Sequence, residues 1–344
     1  MKAVVKYGYG DGAVELREVR EPTPGPGEVL VEVKAAGICG TDIDLYHNRQ
    51  TYHVDVPVIL GHEFTGTVVQ VGQDVRGFVG GERVVCETAA YTCGECVYCR
   101  SGRYNFCPQR KGFGYGVDGA FTRYVKVMPA LLHRIPDALA FEEAVLIEPV
   151  TVTVNALLED TRIFPADTVA IIGPGTIGLL SVLVAKVAGA SNIIVVGRSR
   201  HKARLALARE LGATATIDSE MEDVREAIKA FGDGQGADLV VDVTGASESL
   251  DQALDIVRRN GQITEIGFGA KPLGFSLARL VSKAVRLQGV YSHTYRSWER
   301  AIRLVASRQI DAKPLVGGYY PLSDWERAIH EVDSGRVIKA IVVP

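Results

Sequence analysis

The sequence lacks a strong charge of either sign. Its 38 Lys and Arg residues nearly balance its 41 Asp and Glu residues, which leaves a formal net charge of −3 at pH 7 with His neutral. A protein that binds nucleic acid or an acidic membrane surface usually carries a basic excess, because the phosphates it meets are anionic. The near balance therefore argues against both kinds of partner and favours small solutes.

The sequence also lacks a long apolar run. Its most apolar stretch, residues 169–187, is interrupted by Gly173, Pro174, Gly175 and Gly178 and carries Lys186, whereas a membrane-spanning helix needs about 20 predominantly apolar residues. The N-terminal stretch MKAVVKYGYG has neither the apolar core nor the small-residue cleavage site of a signal peptide. We expect a cytoplasmic protein in which residues 169–187 form a strand, a turn and a helix.

Cysteine is absent outside residues 39–107, and four of the six cysteines fall within fifteen residues. In a chain expected to be cytosolic, such clustering is more typical of a metal site than of a disulfide framework. A redox dithiol and an iron–sulfur cluster are the alternatives, but a redox motif needs only one CxxC, and the bacterial ferredoxin pattern ends in a shorter spacing. Four thiolates on one loop can enclose a tetrahedral zinc ion. The spacing therefore predicts a structural zinc site formed by Cys93, Cys96, Cys99 and Cys107.

A second set of metal-binding side chains is spread over the first half of the chain. Cys39 in GICGTD and the pair His62 and Glu63 in GHE offer sulfur, nitrogen and oxygen, and Glu148 in IEPV is a further carboxylate. A mixed donor set leaves room for a water or substrate oxygen and so suits catalysis. Taken singly, Cys39 and His62 are more simply explained as packing residues, and Glu148 as a charge at a helix end.

The length of 344 residues predicts two domains, because single hydrophobic cores stop growing before this size. Short β-branched runs separated by turns predict a mostly β first half, with strands at 3–7, 28–34, 64–71, 83–86 and 121–127. From about residue 150, strands such as VAIIG, NIIVVG and ADLVVDV alternate with helices such as HKARLALARELG and ESLDQALDIVRR. Such βαβ units require a parallel sheet covered on both faces. Periodicity does not decide whether the last fifty residues return to the first domain.

A glycine-rich turn follows the first strand of this βαβ region. Its residues Gly173, Gly175, Thr176, Ile177 and Gly178 fit the pattern G-x-G-x-x-G, with a buried strand before it and an apolar helix after it. The first glycine permits the tight turn, the second lets a pyrophosphate approach the backbone, and the third lets helix and strand pack closely. The helix N-terminus then offers N–H groups to the phosphates. We interpret the turn as a dinucleotide site, with a purely structural tight turn as the alternative.

The second strand of the region ends in VVGRSRHK. The acidic residue that usually binds the adenosine ribose lies about 20 positions beyond the glycine motif, and here that position holds Gly197. Glycine removes the carboxylate that would repel a 2′-phosphate, and Arg198, Ser199, Arg200 and Lys202 supply donors that suit a phosphate. These residues predict a preference for NADP(H) over NAD(H). The alternative is that they are solvated charges at the start of a helix.

Together these segments resemble one known family. GICGTD, GHEFTGTVVQVG, the four-cysteine loop, IEP and GPGTIG, at their intervals, are similar to the zinc-dependent medium-chain dehydrogenase/reductase family over essentially the whole chain. A glutamate at position 148 is similar to the sorbitol (polyol) and L-threonine dehydrogenase branch. The resemblance implies an α/β protein: a mostly β GroES-like catalytic domain at 1–150, completed by 295–344, and a Rossmann domain with a doubly wound parallel sheet at 151–294. It also implies a homotetramer.

The resemblance assigns roles to single residues. It implies that Cys39, His62 and Glu63 or Glu148 hold a catalytic zinc ion. The four-cysteine loop would hold a structural one, so that each chain binds two zinc ions. A zinc ion there would make a bound alcohol a stronger acid, and hydride would then pass to the nicotinamide. Thr41 matches the hydroxyl that passes the alcohol proton towards the cofactor ribose.

Several positions depart from the family pattern. Where many relatives have a relay histidine the chain has Asp44, with His47 as the nearest imidazole, so the proton could leave through either residue or through water. Where sorbitol dehydrogenases carry an arginine that holds the polyol, the chain reads Ser-His-Thr at 292–294. This difference argues against sorbitol as the substrate. The candidate residues for lining the substrate site are Tyr46, Tyr115 and His293. Cys86 has no role in the pattern, and we expect it to be a buried strand residue.

Three functions are compatible with these patterns. The first is a zinc-dependent oxidoreductase that transfers hydride between NADP(H) and a secondary alcohol of a polyol, a sugar-derived compound or an amino alcohol. The second is an NAD-dependent enzyme resembling L-threonine 3-dehydrogenase. The third is a non-enzymatic sensor that binds zinc and a dinucleotide.

Overall fold

The computed structural model describes residues 1–269, 271, 274 and 276–344, and the chain forms two compact units. The first unit comprises Met1–Glu148, Thr294–Ala306 and Ala312–Pro344. The second comprises Pro149–His293 and Ser307–Asp311. The last part of the chain thus returns to the unit that the first part begins.

The strands, in chain order, are β1 Lys2–Lys6, β2 Val14–Glu18, β3 Val29–Gly37, β4 Val58–Ile59, β5 Glu63–Val71, β6 Arg83–Cys86, β7 Tyr124–Val127, β8 Leu132–Arg134, β9 Thr168–Ile172, β10 Asn192–Gly197, β11 Ala215–Asp218, β12 Ala237–Asp242, β13 Val257–Glu265, β14 Arg286–Gly289, β15 Val316–Pro321 and β16 Lys339–Val343.

The α-helices, in chain order, are α1 Gly40–Tyr46, α2 Val97–Arg100, α3 Phe141–Ala144, α4 Ile147–Val154, α5 Thr176–Ala188, α6 Lys202–Leu211, α7 Val224–Ile228, α8 Ser247–Ile256, α9 Leu277–Lys283, α10 Tyr295–Ala306 and α11 Trp325–Asp333. A π-helical turn, Asn155–Asp160, continues α4. Among the described residues, no helix is both long enough and apolar enough to cross a membrane.

The first unit is built on a 7-stranded sheet with the order β15-β16-β3-β5-β6-β8, in which β7 also pairs with β3, and on a 3-stranded sheet with the order β2-β1-β4. The C-terminal strand β16 pairs antiparallel with β3, with Ile341 opposite Gly37. Buried side chains such as Phe64, Phe121 and Trp325 belong to one core. Both ends of the chain therefore contribute to the same hydrophobic core.

The second unit contains a 6-stranded sheet with the order β11-β10-β9-β12-β13-β14. All its strand pairs are parallel. The central strands are buried almost throughout, as expected where helices cover both faces. The prediction of a doubly wound parallel sheet together with a mostly β domain is confirmed.

The predicted helix over residues 248–259 extends too far. Helix α8 ends at Ile256, and Val257 begins β13. Val257 is 1% exposed and pairs with Ala237 of β12. The pairing of the buried, β-branched Val257 with β12 therefore overrides the helical pattern of the residues before it.

Candidate active site

Cys39, His62 and Glu63 converge in the first unit. The sulfur of Cys39, a ring nitrogen of His62 and a carboxylate oxygen of Glu63 all lie within 4.8 Å of one another. The pairing of β3 with β5 sets Gly37 opposite Glu63, so the residues just after β3 and just before β5 meet. A thiolate, an imidazole and a carboxylate at these separations fit a zinc ion that keeps a position open for substrate.

Asp42 connects two members of this group, although sequence analysis did not single it out. The backbone N–H of Cys39 donates a hydrogen bond of 2.9 Å to Asp42 Oδ2. The other carboxylate oxygen, Oδ1, lies 3.5 Å from His62 Nδ1, and Asp42 is fully buried. A carboxylate behind a metal-binding imidazole fixes the orientation of the ring, so Asp42 is suited to position His62.

Lys339 of β16 brings a buried cation to the same place. Its Nζ forms an ion pair with Glu63 Oε2, and both side chains are 1% exposed. Gly37 makes room for the pair, because a Cβ there would lie 2.1 Å from Glu63 Oε2 and 3.0 Å from Lys339 Cε. Burial raises the pKa of Glu63 and the nearby Glu148 adds to the increase, whereas Lys339 opposes it. Glu148 itself is not in the group of ligand atoms found within 4.8 Å among the described residues.

Replacement of Lys339 by methionine should destabilise the protein strongly. In the zinc-free protein it leaves the Glu63 carboxylate buried without its cation, and breaking a buried ion pair typically costs about 3–5 kcal/mol. The free energy of unfolding, measured by urea denaturation, should fall by that order. The double variant Lys339→Met/Glu63→Gln should recover most of the loss because it buries no unpaired charge. Equal stability of Lys339→Met and the unchanged protein would show that the pair contributes nothing.

The three residues considered for proton transfer lie on or just after α1, in different surroundings. Thr41 Oγ1 lies 3.8 Å from Cys39 Sγ. Asp44 is exposed, and its Oδ1 lies 3.4 Å from Arg49 Nε. Both ring nitrogens of His47 contact carboxylates, Nδ1 at 2.8 Å from Asp11 Oδ1 and Nε2 at 3.1 Å from Asp333 Oδ2. Thr41 thus lies beside the metal-binding group, whereas both ring nitrogens of His47 contact carboxylates outside it.

The three residues predicted to line the substrate site have different neighbours. The Tyr46 hydroxyl donates a hydrogen bond of 3.1 Å to Glu326 Oε1. The ring centroid of Tyr115 lies 5.0 Å from that of Tyr52, and burial raises the pKa of Tyr52. His293 is 2% exposed and belongs to the second unit. Sequence analysis did not single out Tyr52.

The four-cysteine loop gathers its sulfurs as predicted from the spacing. All four ligand atoms lie within 4.8 Å of one another, and Cys93 Sγ lies 3.9 Å from Cys99 Sγ and 3.6 Å from Cys107 Sγ. A tetrahedral zinc ion with Zn–S bonds of ~2.3 Å sets its sulfurs ~3.8 Å apart. Hydrogen bonds from the backbone N–H groups of Cys96 and Glu95 lower the pKa of Cys93 to about 6. Burial raises the pKa of Cys99 to about 12, so without a metal ion the loop favours the thiolate that zinc requires at Cys93 and opposes it at Cys99.

Replacement of Cys107 by serine should remove one zinc ion per chain and lower the unfolding temperature by about 5 °C or more, because the loop loses the ion that crosslinks it. Metal analysis and calorimetry test both parts. Cys86 is the matched control: it is fully buried in β6 and outside both groups, so Cys86→Ala should retain all bound zinc. Unchanged zinc content in Cys107→Ser would contradict the structural-zinc interpretation.

A buried polar network adjoins this loop. His133 Nε2 lies 3.0 Å from Glu87 Oε1, and His133 Nδ1 lies 2.7 Å from Glu299 Oε1. The hydroxyl of Tyr104, three residues before Cys107, donates a hydrogen bond of 2.6 Å to the other oxygen of Glu87. Burial alone would lower the pKa of His133, but the hydrogen bonds to Glu87 and Glu299 outweigh burial and raise it.

The stability of the protein should therefore depend on the protonation of His133. Because the pKa of His133 is raised by folding, the contribution is fully present below the unfolded value of about 6.5 and is lost as the pH rises through the folded value. Urea denaturation between pH 6 and pH 9 should show a decline in the free energy of unfolding, and His133→Gln should flatten it. His53→Gln should leave the slope unchanged, because His53 is a surface residue with a side chain 78% exposed. An unchanged slope in His133→Gln would refute the assignment.

The glycine-rich turn of the second unit has two positions whose backbone favours or requires glycine. Gly173 follows β9 with φ of 104°, a left-handed conformation that favours glycine. A Cβ on Gly178 would lie 1.9 Å from the Gly173 carbonyl oxygen, so only glycine lets α5 pack this closely. Thr176 and Ile177 begin α5, with Gly175 as the N-cap. The N–H groups of a first helical turn have no partner within the helix and can bind anions.

The residues after β10 form an exposed turn. Gly197 ends β10 and is buried, whereas Arg198, Ser199 and Arg200 are exposed. A Cβ on Gly197 would lie 3.0 Å from Leu205 Cδ2, so a larger residue would need a small shift. The turn thus presents two guanidinium groups beside a position without a side chain.

Two further basic side chains, His201 and Arg204, lie with these arginines. Burial and the neighbouring Arg200, Arg204 and Arg198 lower the pKa of His201. Burial and Arg200 also lower the pKa of Arg204. Besides burial, repulsion between the neighbouring basic groups contributes to both shifts, and a bound anion would relieve that repulsion. Sequence analysis named Lys202 in this helix and missed Arg204.

Sequence analysis also missed two carboxylates at this turn. The Ser199 hydroxyl donates a hydrogen bond of 2.6 Å to Asp218 Oδ2, and the Ser199 backbone N–H donates one of 3.0 Å to Glu220 Oε2. Both acidic residues lie at or just after the end of β11, the next strand along the chain, so the motif TIDSE was the available signal. Because carboxylates oppose a phosphate, they weigh against a strong NADP preference.

Comparisons with known proteins agree with the geometry. The family model for the alcohol dehydrogenase GroES-like domain matches residues 25–137, and the model for zinc-binding dehydrogenases matches residues 176–307. These matches identify a zinc-binding dehydrogenase.

Similar proteins cover the whole chain. A sorbitol dehydrogenase from Halalkalibacterium halodurans is 39% identical over 100% of this chain and 99% of its own length. An L-threonine 3-dehydrogenase from Bacillus subtilis is 36% identical over 100% of this chain and 99% of its own. A crystal structure described as a zinc-binding dehydrogenase from Sinorhizobium meliloti, bound to NADP, has 32% identity and a TM-score of 0.92, covering 100% and 99% of the two chains.

The chain belongs to the zinc-dependent medium-chain dehydrogenase/reductase family, in the polyol and threonine dehydrogenase branch. The resemblance inferred from the sequence motifs is thereby confirmed. The protein is an enzyme, so the hypothesis of a non-enzymatic sensor is not supported.

Proposed function

We propose that the protein is a zinc-dependent dehydrogenase that transfers hydride between NADP(H) and a secondary alcohol of a polyol, a sugar-derived compound or an amino alcohol. The observation that carries the proposal is the convergence of Cys39, His62 and Glu63 within 4.8 Å. A group of one thiol, one imidazole and one carboxylate suits a zinc ion with an open position.

In this proposal Cys39, His62 and Glu63 hold the catalytic zinc ion, which would polarise the alcohol oxygen. Glu148, 5% exposed, lies near enough to influence Glu63 and remains the alternative carboxylate. Thr41, beside Cys39, accepts the alcohol proton and passes it on. Because both ring nitrogens of His47 contact carboxylates, the proton leaves through the exposed Asp44 or through water.

The adenosine end of the cofactor would lie at Gly197 and the following turn. Arg198 and Arg200 would bind the 2′-phosphate, and the absence of a side chain at Gly197 leaves it space. Arg204 strengthens the positive charge from the first turns of α6. Gly173, Gly175 and Gly178 would hold the pyrophosphate. The four-cysteine loop would hold a second, structural zinc ion, and the assembly would be a cytoplasmic homotetramer.

An NAD-dependent L-threonine dehydrogenase is the second candidate. Two observations favour it: the 36% identity to the Bacillus subtilis L-threonine 3-dehydrogenase, and the carboxylates of Asp218 and Glu220 on Ser199. Carboxylates near the ribose would suit the free hydroxyls of NAD rather than a phosphate.

Initial rates with both cofactors separate the two candidates. The zinc-loaded enzyme is assayed with NAD and with NADP against a panel of polyols, sugar phosphates, amino alcohols and L-threonine. Our proposal expects a higher kcat/KM with NADP and a polyol or sugar-derived alcohol. Preference for NAD with L-threonine would replace it by the second candidate.

A further inference from the structure

A tight turn after the four-cysteine loop carries Tyr115. The carbonyl oxygen of Gly112 accepts hydrogen bonds of 3.0 Å from the N–H groups of Gly116 and Val117. The ring of Tyr115 folds back over Gly112, because a Cβ at position 112 would lie 2.2 Å from Tyr115 Oη. Only glycine at position 112 therefore lets the ring take this place, so the turn fixes where the phenol hydroxyl lies.

Arg110 contacts this hydroxyl. Its Nη1 donates a hydrogen bond of 2.6 Å to Tyr115 Oη, and its Nη2 donates one of 3.1 Å to Thr88 Oγ1. A phenol oxygen that accepts a hydrogen bond keeps its own proton for donation, and linked hydrogen bonds polarise one another. Arg110 and Tyr115 therefore combine a positive charge with a strengthened O–H donor, which suits an anionic oxygen.

The turn packs on the segment that leads into the zinc-binding pair. A Cβ on Gly114 would lie 3.1 Å from the backbone nitrogen of Gly61. The N–H of Ala120 donates a hydrogen bond of 2.9 Å to the Gly61 carbonyl oxygen. Because Gly61 directly precedes His62, the turn with Tyr115 lies alongside the chain that positions this ligand.

Tyr52 lies between Tyr115 and the metal-binding group. Its ring centroid is 5.0 Å from that of Tyr115, with 60° between the ring planes. Burial raises the pKa of Tyr52, and the neighbouring Tyr115, Asp42 and Cys39 add to the increase, so its hydroxyl lies within electrostatic reach of Cys39. Within the part of the chain that the structure describes, the Tyr52 hydroxyl has no hydrogen-bond partner. It is available to a substrate.

We propose that Arg110, Tyr115 and Tyr52 bind an oxyanion carried by the substrate, so that the enzyme oxidises a sugar-alcohol phosphate or a sugar acid in preference to a neutral polyol. Arg110 supplies the charge, and the two phenol hydroxyls donate to oxygens of the phosphate or carboxylate. This assignment rests on the proposed hydride transfer, since the oxyanion belongs to the substrate of the same site.

Initial rates with matched substrates test the proposal. The full-length, zinc-loaded enzyme is assayed with sorbitol and sorbitol 6-phosphate, galactitol and galactitol 1-phosphate, arabitol and arabitol 5-phosphate, and with sorbitol against gluconate. The members of each pair differ in the anionic group. We expect kcat/KM for the charged member of at least one pair to exceed that for the neutral member by about tenfold or more. The phosphate and carboxylate pairs show which oxyanion the site takes.

Three substitutions assign this preference to the proposed residues. Arg110→Met and Tyr115→Phe should each lower the ratio of kcat/KM for the charged substrate to kcat/KM for the neutral one by about tenfold, which is about 1.4 kcal/mol. Tyr115→Phe keeps the ring and removes only the hydroxyl. Arg110→Lys keeps the charge but loses the fork, so it should retain part of the preference. General damage to the site would lower both rates and leave the ratio unchanged.

Arg76→Met is the matched control. Arg76 lies in the same unit and contacts only nearby carbonyl oxygens at 3.2 Å, so its replacement should change neither the rates nor their ratio. Thermal unfolding shows whether each variant is folded. If Arg110→Met does not fold, Tyr115→Phe carries the test.

Equal kcat/KM for the charged and neutral members of every pair would overturn the proposal. So would an unchanged ratio in Tyr115→Phe, or an equal fall of the ratio in Arg76→Met. Zinc-dependent activity confined to neutral polyols would overturn the oxyanion site and leave the proposed function standing. Absence of activity with every alcohol, charged or neutral, would overturn the proposed function and this assignment with it.

Discussion

The variant His62→Ala is expected to lose catalytic activity by about a thousandfold or more in kcat/KM for alcohol oxidation, which corresponds to about 4 kcal/mol of transition-state stabilisation. We expect this loss because the substitution removes the single imidazole from the group in which ligand atoms of Cys39, His62 and Glu63 lie within 4.8 Å of one another. A zinc ion left with a thiolate and a carboxylate is bound less tightly, and the alcohol loses its activating cation.

Metal analysis distinguishes this cause from general damage. His62→Ala should retain the zinc of the four-cysteine loop and lose the other ion. His53→Ala is the matched control, since the His53 side chain is 78% exposed and contacts Asp55 at the surface. It should keep both ions and full activity. Normal kcat/KM in His62→Ala, or loss of activity with full zinc content, would exclude the proposed role.

The double variant Gly197→Asp/Arg198→Ala is expected to lower the ratio of kcat/KM for NADP to kcat/KM for NAD by about a hundredfold or more, which is about 2.7 kcal/mol. Aspartate at the end of β10 restores the carboxylate that binds ribose hydroxyls and repels a 2′-phosphate. The arginine substitution removes a charge-assisted hydrogen bond of about 1.5–3 kcal/mol. The two effects act in the same direction.

Gly197→Ala separates charge from steric effects. A Cβ at this position would lie 3.0 Å from Leu205 Cδ2 and 3.1 Å from Pro174 Cγ, so the methyl group tests whether crowding alone weakens the site. We expect Gly197→Ala to lower the ratio less than the double variant does, because its methyl group takes only part of the space left for the 2′-phosphate and adds no charge. An unchanged ratio in the double variant would show that the turn does not select the cofactor.

The sequence predicts those features of the site that depend on local spacing. The four cysteines close on one another because they share one loop, and the glycine-rich turn is recognisable because its strand and helix flank it directly. The parallel sheet follows from the alternation of strands and helices, and the structure confirms it.

The features that escaped prediction depend on strand pairing between distant segments. Lys339 reaches Glu63 because β16 pairs with β3, which in turn pairs with β5. A lysine inside the apolar run VIKAIVV was a signal that it is buried, but its partner could not be read from the chain. Asp218 likewise meets Ser199 only because β10 and β11 are neighbours in the sheet.

Reversible removal of zinc tests the central claim most directly. The purified enzyme is assayed for oxidation of its best secondary alcohol before chelation, after chelation that removes the exchangeable zinc ion, and after zinc is restored. We predict that activity falls in proportion to the zinc lost from the Cys39, His62 and Glu63 group and returns when one equivalent is added. Full activity after complete removal of zinc would contradict the account.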